Sequence, residues 1–223
     1  LLRAEYRRCD AAPAGVVPSI MTHGILSGHA IEEAVRTGKI FIEGYNPSRV
    51  NPASYDLTLG GKVAIYRQGA RFSHGPSWRL GDAEDGVSFE PADGILDAHK
   101  GAVVNEYEID PKLGWVLKPG IGYLMHTAER VRTDHFVPVL DGKSTLGRLF
   151  VQVHVTAGYG DPGFDGQYTL EVVTTHPVRV YPGMPFCQIR FHTISGKVKL
   201  YEGRYRGERA LGAVPAEVSG LKC

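Results

Sequence analysis

The sequence predicts a mainly β domain, a barrel or sandwich of many short strands with a single good helix. Three observations carry this. The chain holds 28 glycines and 14 prolines, a turn-rich supply that suits frequent chain reversals. Its later half contains repeated period-2 alternation of apolar and polar residues. Only one segment carries the 3.6-residue pattern together with start and stop signals.

That segment is "ILSGHAIEEAVRTGKI". Ser27 is placed to cap it, Glu32 and Glu33 suit its N-terminal end, Ile31, Ala34 and Val35 share a face, and Gly38 stops it. "YNPSRVNPASYDLTLGGKVAIY" then alternates turn residues with short strands. Residues 68–101 are rich in Gly, Asp, Ser and Pro and read as a long excursion between strands. "GWVLKPGIGYLMHTAERV" holds two strand-like pieces around a Pro-Gly turn. In "VQVHVT", Val151, Val153 and Val155 point one way and Gln152, His154 and Thr156 the other. "QYTLEVV" sets Tyr168, Leu170 and Val172 on one face and Gln167, Thr169 and Glu171 on the opposite one. "VRVYPGMPFCQIRFHTI" turns at Pro182-Gly183 between two further strands.

The chain divides into an N-terminal extension, 1–24, expected to be loosely ordered, a β domain over 25–202, and a Gly- and Arg-rich tail over 203–223. At 223 residues it is long enough for a real core. Its 43% hydrophobic and 22% charged residues are ordinary globular composition. A net charge of +1 gives no global case for nucleic acid or an anionic membrane. Cys9, Cys187 and Cys223 are far apart, with no C-x-x-C, so neither a disulfide framework nor a cysteine zinc site is expected. No run reaches the length of a membrane span. A cytoplasmic protein is expected.

The chemistry-bearing stretch is "TAGYGDPGFDGQYTLE". A bend built of glycine and proline lets backbone approach a ligand closely, and Glu171 follows it where a strand usually presents an ordinary solvent-facing carboxylate. Thr169, His154 and Ser144 are placed to converge with it on a cavity. A carboxylate partly withdrawn from water holds a proton more readily, as a proton shuttle requires. "DGKSTLGR" supplies two hydroxyls and two cations, but its spacing is not that of a Walker A loop. The nine histidines form neither H-E-x-x-H nor the H-x-E and P-C-x-x-C halves of a zinc deaminase. His154, among valines, reads as a hydrogen-bonded structural histidine.

Taken in order, three segments resemble one family. "DGKSTLGRLFVQVHVTAGYGDPGFDGQYTLE" is similar to the core motif of dCTP deaminases, members of the trimeric dUTPase superfamily. That motif reads D-G-R-S-S-L-x-R, H-x-T-A, I-D-P-G-[WF]-x-G and T-L-E. "NPASYDLTLG" after the helix resembles the family's opening strand, and "VYPGMPFCQIRF" with "YEGRYRGERALGAVP" resembles its closing segments. The resemblance runs from Ile25 to about Pro215.

It implies a distorted β-barrel, dUTPase-like, with a short N-terminal helix, assembled as a homotrimer with shared active sites. Glu171 then falls at the position of the general acid/base, which activates water for attack on C4 of cytosine. Ser144 and the carbonyl of Ala157 hold that water, and Arg148 supports the carboxylate. Asp161 seats the deoxyribose and Phe164 lines sugar and base. Lys143, Thr145, Tyr201, Arg204 and Glu208 fall where the family gathers phosphate contacts. Magnesium travels on the triphosphate, with no protein-bound metal and no zinc.

Three positions depart from the pattern. Lys143 stands for arginine and loses the planar fork. Gly160 stands for isoleucine, which is expected to loosen the bend. Glu208 stands for glutamine. The expected reaction is deamination of dCTP to dUTP and ammonia. The alternatives are a bifunctional enzyme forming dUMP and diphosphate, favoured by the Gly158-Tyr159 pair in the bend, a dUTPase using Asp161, or a catalytically silent nucleotide-binding module.

Overall fold

The computed structural model describes residues 24–66, 104–203 and 207. The extension at 1–23, the excursion at 68–101, and Arg204 and Glu208 in the tail lie outside the described residues.

The helix forms as its signals require. α1 (Gly28–Arg36) is capped by Ser27, whose hydroxyl accepts from Ala30 N at 3.3 Å. The chain leaves it through Gly38 at a φ of 72°. Ile31 and Ala34 are buried, while Glu33 is spent on Arg36 rather than on the helix N-terminus.

Ten strands follow: β1 (Phe41–Ile42), β2 (Tyr55–Tyr66), β3 (Val104–Glu108), β4 (Trp115–Leu117), β5 (Tyr123–Arg132), β6 (Phe136–Gly142), β7 (Val151–Gln152), β8 (Asp165–Thr174), β9 (Val178–Val180) and β10 (Pro185–Thr193). The main sheet runs β6-β10-β2-β5-β8-β7, with β1 added on β5 and β3 on β2, and β4 pairs β9 separately. The ladders between these strands are antiparallel, so short reversals suffice to connect many of them. The sheet curls until its ends meet. Residues 158–160, just after β7, bond to β6, with Leu140 N donating to Gly158 O at 2.7 Å and Gly160 N to Pro138 O at 2.8 Å. The glycine-rich bend is therefore the seam that brings the sheet toward a closed barrel.

One continuous core fills the interior, including Leu57, Leu59, Met125, Leu170, Val172, Phe186, Ile189 and Phe191. Each such side chain withdrawn from water contributes roughly 1.5–3 kcal/mol. The alternation expected in "VQVHVT" is shorter than the sequence suggests. Val151 and Val153 are buried, but pairing stops at Gln152 and Val155 is 57% exposed. The chain leaves β8 there in order to reach β6.

His126 on β5 is buried among backbone groups that fix its tautomer. Thr127 O lies 2.9 Å from Nδ1 and needs a donor, while Lys62 N donates to Nε2 at 3.3 Å. The neutral ring satisfies both, and a second proton would turn Nε2–H against the Lys62 N–H. Burial holds the His126 pKa below the ordinary histidine value, with the Lys62 charge adding to this and the Thr127 carbonyl opposing it. The folded state thus binds fewer protons than the unfolded one, and stability is lost as pH falls below the unfolded value. The urea midpoint is expected to drop between about pH 7.5 and about pH 5, the range of ordinary histidine titration, and to drop less in His126→Gln. Equal slopes for the two proteins would assign the effect elsewhere.

Candidate active site

β8 carries the site. Leu170 and Val172 face the core while Glu171 lies on the opposite face, across from Leu124 of β5. Three devices set this register where the β5–β8 ladder is interrupted between His126 and Arg130. Tyr168 N donates to Thr127 Oγ1 at 2.9 Å, Gln167 Nε2 donates to Ala128 O at 2.8 Å, and Arg130 grips Asp165 with two hydrogen bonds.

Glu171 Oε2 is buried and has no hydrogen-bond partner among the described residues, and the same holds for His154 Nδ1. The β7–β8 register pairs Val151 with Thr174 and Gln152 with Val173. Pairing ends at Gln152, two residues before His154. A Cβ on Gly158 would fall 2.7 Å from His154 Nε2, so the imidazole lies directly under the bend. His154 is thus not the hydrogen-bonded structural histidine expected from sequence. Like the glutamate it carries a buried polar atom without a partner, and its place in H-x-T-A was the available signal. A buried polar atom without a partner costs about 1–3 kcal/mol, a burden most readily offset when a ligand completes it.

The bend itself is tight. Gly160 is buried, and a Cβ there would lie 2.9 Å from Pro138 Cγ and 3.0 Å from the Tyr168 hydroxyl. The loosening expected from glycine in place of isoleucine does not occur, because the Tyr168 phenol and Pro138 occupy that space. Burial, reinforced by the Asp161 carboxylate, pushes the Tyr168 hydroxyl pKa well up, so it stays a neutral donor. Phe164 stacks on Tyr168 at 4.8 Å and meets Tyr201 edge-on at 6.1 Å. Tyr201 N donates to Pro162 O at 2.7 Å, which docks the start of the tail on the bend. Asp161 is exposed, with no side-chain hydrogen bond among the described residues, and the Ala157 carbonyl accepts none there either.

Residues 143–148 form a separate cluster. α2 (Ser144–Gly147) is one short turn beginning after Lys143, where a polar turn was expected. Ser144, Thr145 and Arg148 are exposed, and no hydrogen bond or ion pair joins them to Glu171 within the chain. Lys143 lies 2.5 Å from Asp56 Oδ2. The structure brings His154 and the bend together, and joins neither the α2 hydroxyls nor Arg148 to Glu171 by a hydrogen bond or ion pair.

The family model described as dCTP deaminase-like matches residues 25–194. The chain belongs to the dCTP deaminase-like family. Proteins from Cytophaga hutchinsonii and Hathewaya histolytica, each named dCTP deaminase, dUMP-forming, are 37% and 35% identical to it. These alignments cover 84% and 82% of this chain, and 93% and 91% of the relatives. A crystal structure of 2'-deoxycytidine 5'-triphosphate deaminase from Agrobacterium tumefaciens matches with a TM-score of 0.54 at 26% identity. That match covers 78% of this chain and 49% of the other, so the chain spans about half the length of that solved protein. No helix among the described residues is long and apolar enough to cross a membrane.

Gly163 offers a direct check of the bend. It holds a φ of 87°, and a Cβ there would stand 2.9 Å from both Leu200 Cβ and Tyr201 N. Gly163→Ala is expected to cost roughly 1–3 kcal/mol in urea unfolding. It should also expose Lys197 and Lys199 to trypsin sooner, and a neutral substitution would contradict the crossing of the two segments.

Proposed function

We propose that this protein converts dCTP to dUMP, diphosphate and ammonia, consuming two waters. The observation that carries the reading is the Glu171 carboxylate, with a buried, unpartnered Oε2, in a chain whose relatives are named dUMP-forming. Those names favour the bifunctional alternative over the dUTP-releasing reaction taken first from sequence.

In the first step Glu171 takes a proton from a water as its oxygen bonds to C4 of cytosine. The same carboxylate returns protons to the ring and the amino group, the C4–N4 bond breaks, and ammonia leaves. His154, whose Nδ1 is likewise buried and unpartnered, keeps that carboxylate aimed. Ser144 and the Ala157 carbonyl hold the attacking water, and Arg148 supports Glu171. In the second step a water activated by Asp161 attacks the α-phosphorus, and the bond to the bridging oxygen breaks to release diphosphate. The exposed, uncommitted Asp161 carboxylate supports this role. Phe164, backed by Tyr168, forms the sugar wall. Lys143, Thr145, Tyr201, Arg204 and Glu208 meet the phosphates, which bring magnesium with them as part of the substrate.

The lack of any hydrogen bond from Ser144 or Arg148 to Glu171 within one chain supports a site completed by a second copy, in a homotrimer. Around α2 the chain also exposes Leu149 and Phe150, the latter held at a φ of 56°. A left-handed aromatic residue costs roughly 1–2 kcal/mol, strain that a subunit contact could offset.

Incubation with dCTP and magnesium, resolved by chromatography, tests the reading. Wild type is expected to give dUMP, Glu171→Gln to lose about 100- to 10,000-fold in rate, and Asp161→Asn to accumulate dUTP. Release of dUTP by wild type would leave a deaminase alone. Cleavage of dUTP with dCTP untouched would make the protein a dUTPase, and stoichiometric binding without product would make it a silent nucleotide-binding module.

A further inference from the structure

The opening strand carries an acid whose only sequence role was to mark a motif. Across β2, β10 and β6 the register sets Asp56, Gln188 and Asp141 in a single row, with Gln188 opposite both acids. Two tethers rise from this row to the start of α2. Gln188 Nε2 donates to Gly142 O at 3.0 Å, while Gln188 Oε1 accepts from Ser54 Oγ at 3.0 Å. Asp56 Oδ2 meets Lys143 Nζ at 2.5 Å, while its Oδ1 accepts from Asn51 Nδ2 at 2.8 Å. Asp141 is engaged separately by Arg190.

Both oxygens of Asp56 are therefore committed, and its side chain is only 14% exposed. It is a fixed anchor. The Lys143 ammonium has three hydrogens, one of them directed at Asp56, and the side chain is 21% exposed. Two donors remain for phosphate oxygens without breaking the pair. A lysine reaches phosphate as a point charge on a flexible four-carbon stem, whereas an arginine brings a rigid planar fork. Held at Asp56, the stem is already ordered before the nucleotide arrives. The acid also opposes binding, since its charge repels phosphate. It lies behind the ammonium, however, so an incoming phosphate meets the cation at shorter range, and the aiming effect dominates.

We propose that Asp56 is a positioning residue for the triphosphate, aiming the Lys143 ammonium and so replacing the directionality that an arginine would carry in its own fork. This rests on the reading that Lys143 meets the nucleotide's phosphates.

The test is steady-state kinetics on dCTP with the full chain, comparing wild type, Asp56→Asn, Lys143→Ala and the double variant. Asp56→Asn is expected to raise KM about tenfold with kcat changed less than about twofold. The double variant is expected to be no worse than Lys143→Ala alone. Lys143→Arg added to Asp56→Asn is expected to recover most of the lost KM, because the fork needs no tether. Three results would overturn the proposal: an unchanged or lower KM in Asp56→Asn, a fall in kcat at constant KM, or KM effects of the two single variants that multiply in the double. If Asp56→Asn does not fold, Asn51→Ala, which frees one side of the anchor, must raise KM in the same direction or the proposal fails. Should wild type leave dCTP unchanged, the proposed reaction fails on its own account. The same cycle read as calorimetric affinity for dCTP then still decides whether Asp56 aims Lys143.

Discussion

The register of β8 against β5 is the constraint on which the rest depends. Side chains alternate along a strand, so a slip of one residue would put Glu171 in the core and Leu170 on the polar face. The ladder is weakest between His126 and Arg130, where regular pairing is interrupted. Polar side chains hold the strands at that point. Thr127 supplies the acceptor for Tyr168 N, Gln167 supplies a donor for Ala128 O, and the Arg130–Asp165 pair clamps the start of β8 with matched planar geometry. Core burial of Leu170 and Val172 then fixes the sense of the alternation. The placement of Glu171 and the stability of the fold are set by the same few bonds.

The bend that follows β7 does two things at once. A barrel needs its last edge paired, and the route from β7 back to β6 must cross over the imidazole of His154. Gly158 passes above that ring without collision, and Gly160 brings the chain against Pro138. The cover thus formed over His154 is backbone, whose carbonyls and amides can serve a ligand directly. Docking of Leu200 and Tyr201 on Gly163 adds a second layer. Closure of the barrel and construction of a pocket wall are one structural event.

Much of this was legible in the sequence, for definable reasons. α1 announced itself through Ser27, Ile31, Ala34 and Gly38, all local signals. The alternation through Leu170, Glu171 and Val172 placed the carboxylate correctly because period-2 patterning reports burial. The short extent of β7 was not legible, since Val155 continues the pattern while the chain is already leaving the sheet. The Asp56–Lys143 contact joins residues far apart in sequence through register on β10, which no local spacing encodes. Gly160 was misread for a related reason. Its effect depends on Tyr168, eight residues on, and on Pro138 across the seam. His154 was discounted because a histidine between valines more often finds a partner, and only the structure reveals that its Nδ1 has none.

The distribution of compensated charge argues where the chemistry belongs. Glu129 is buried against Arg49 and the Thr58 amide and hydroxyl, while Arg130 holds Asp165, Lys143 and Asn51 hold Asp56, and Arg190 holds the more exposed Asp141. Each of these acids is paired with a cation. Glu171 differs. Its Oε2 is withdrawn from water with neither a cation nor a hydrogen-bond donor on it among the described residues. The fold pairs four of its other acids and leaves this oxygen without a partner. The buried Nδ1 of His154 is a second polar atom without one. The proposed deamination needs a carboxylate that both takes and returns protons, and the buried, unpartnered Oε2 of Glu171 supports placing that role there.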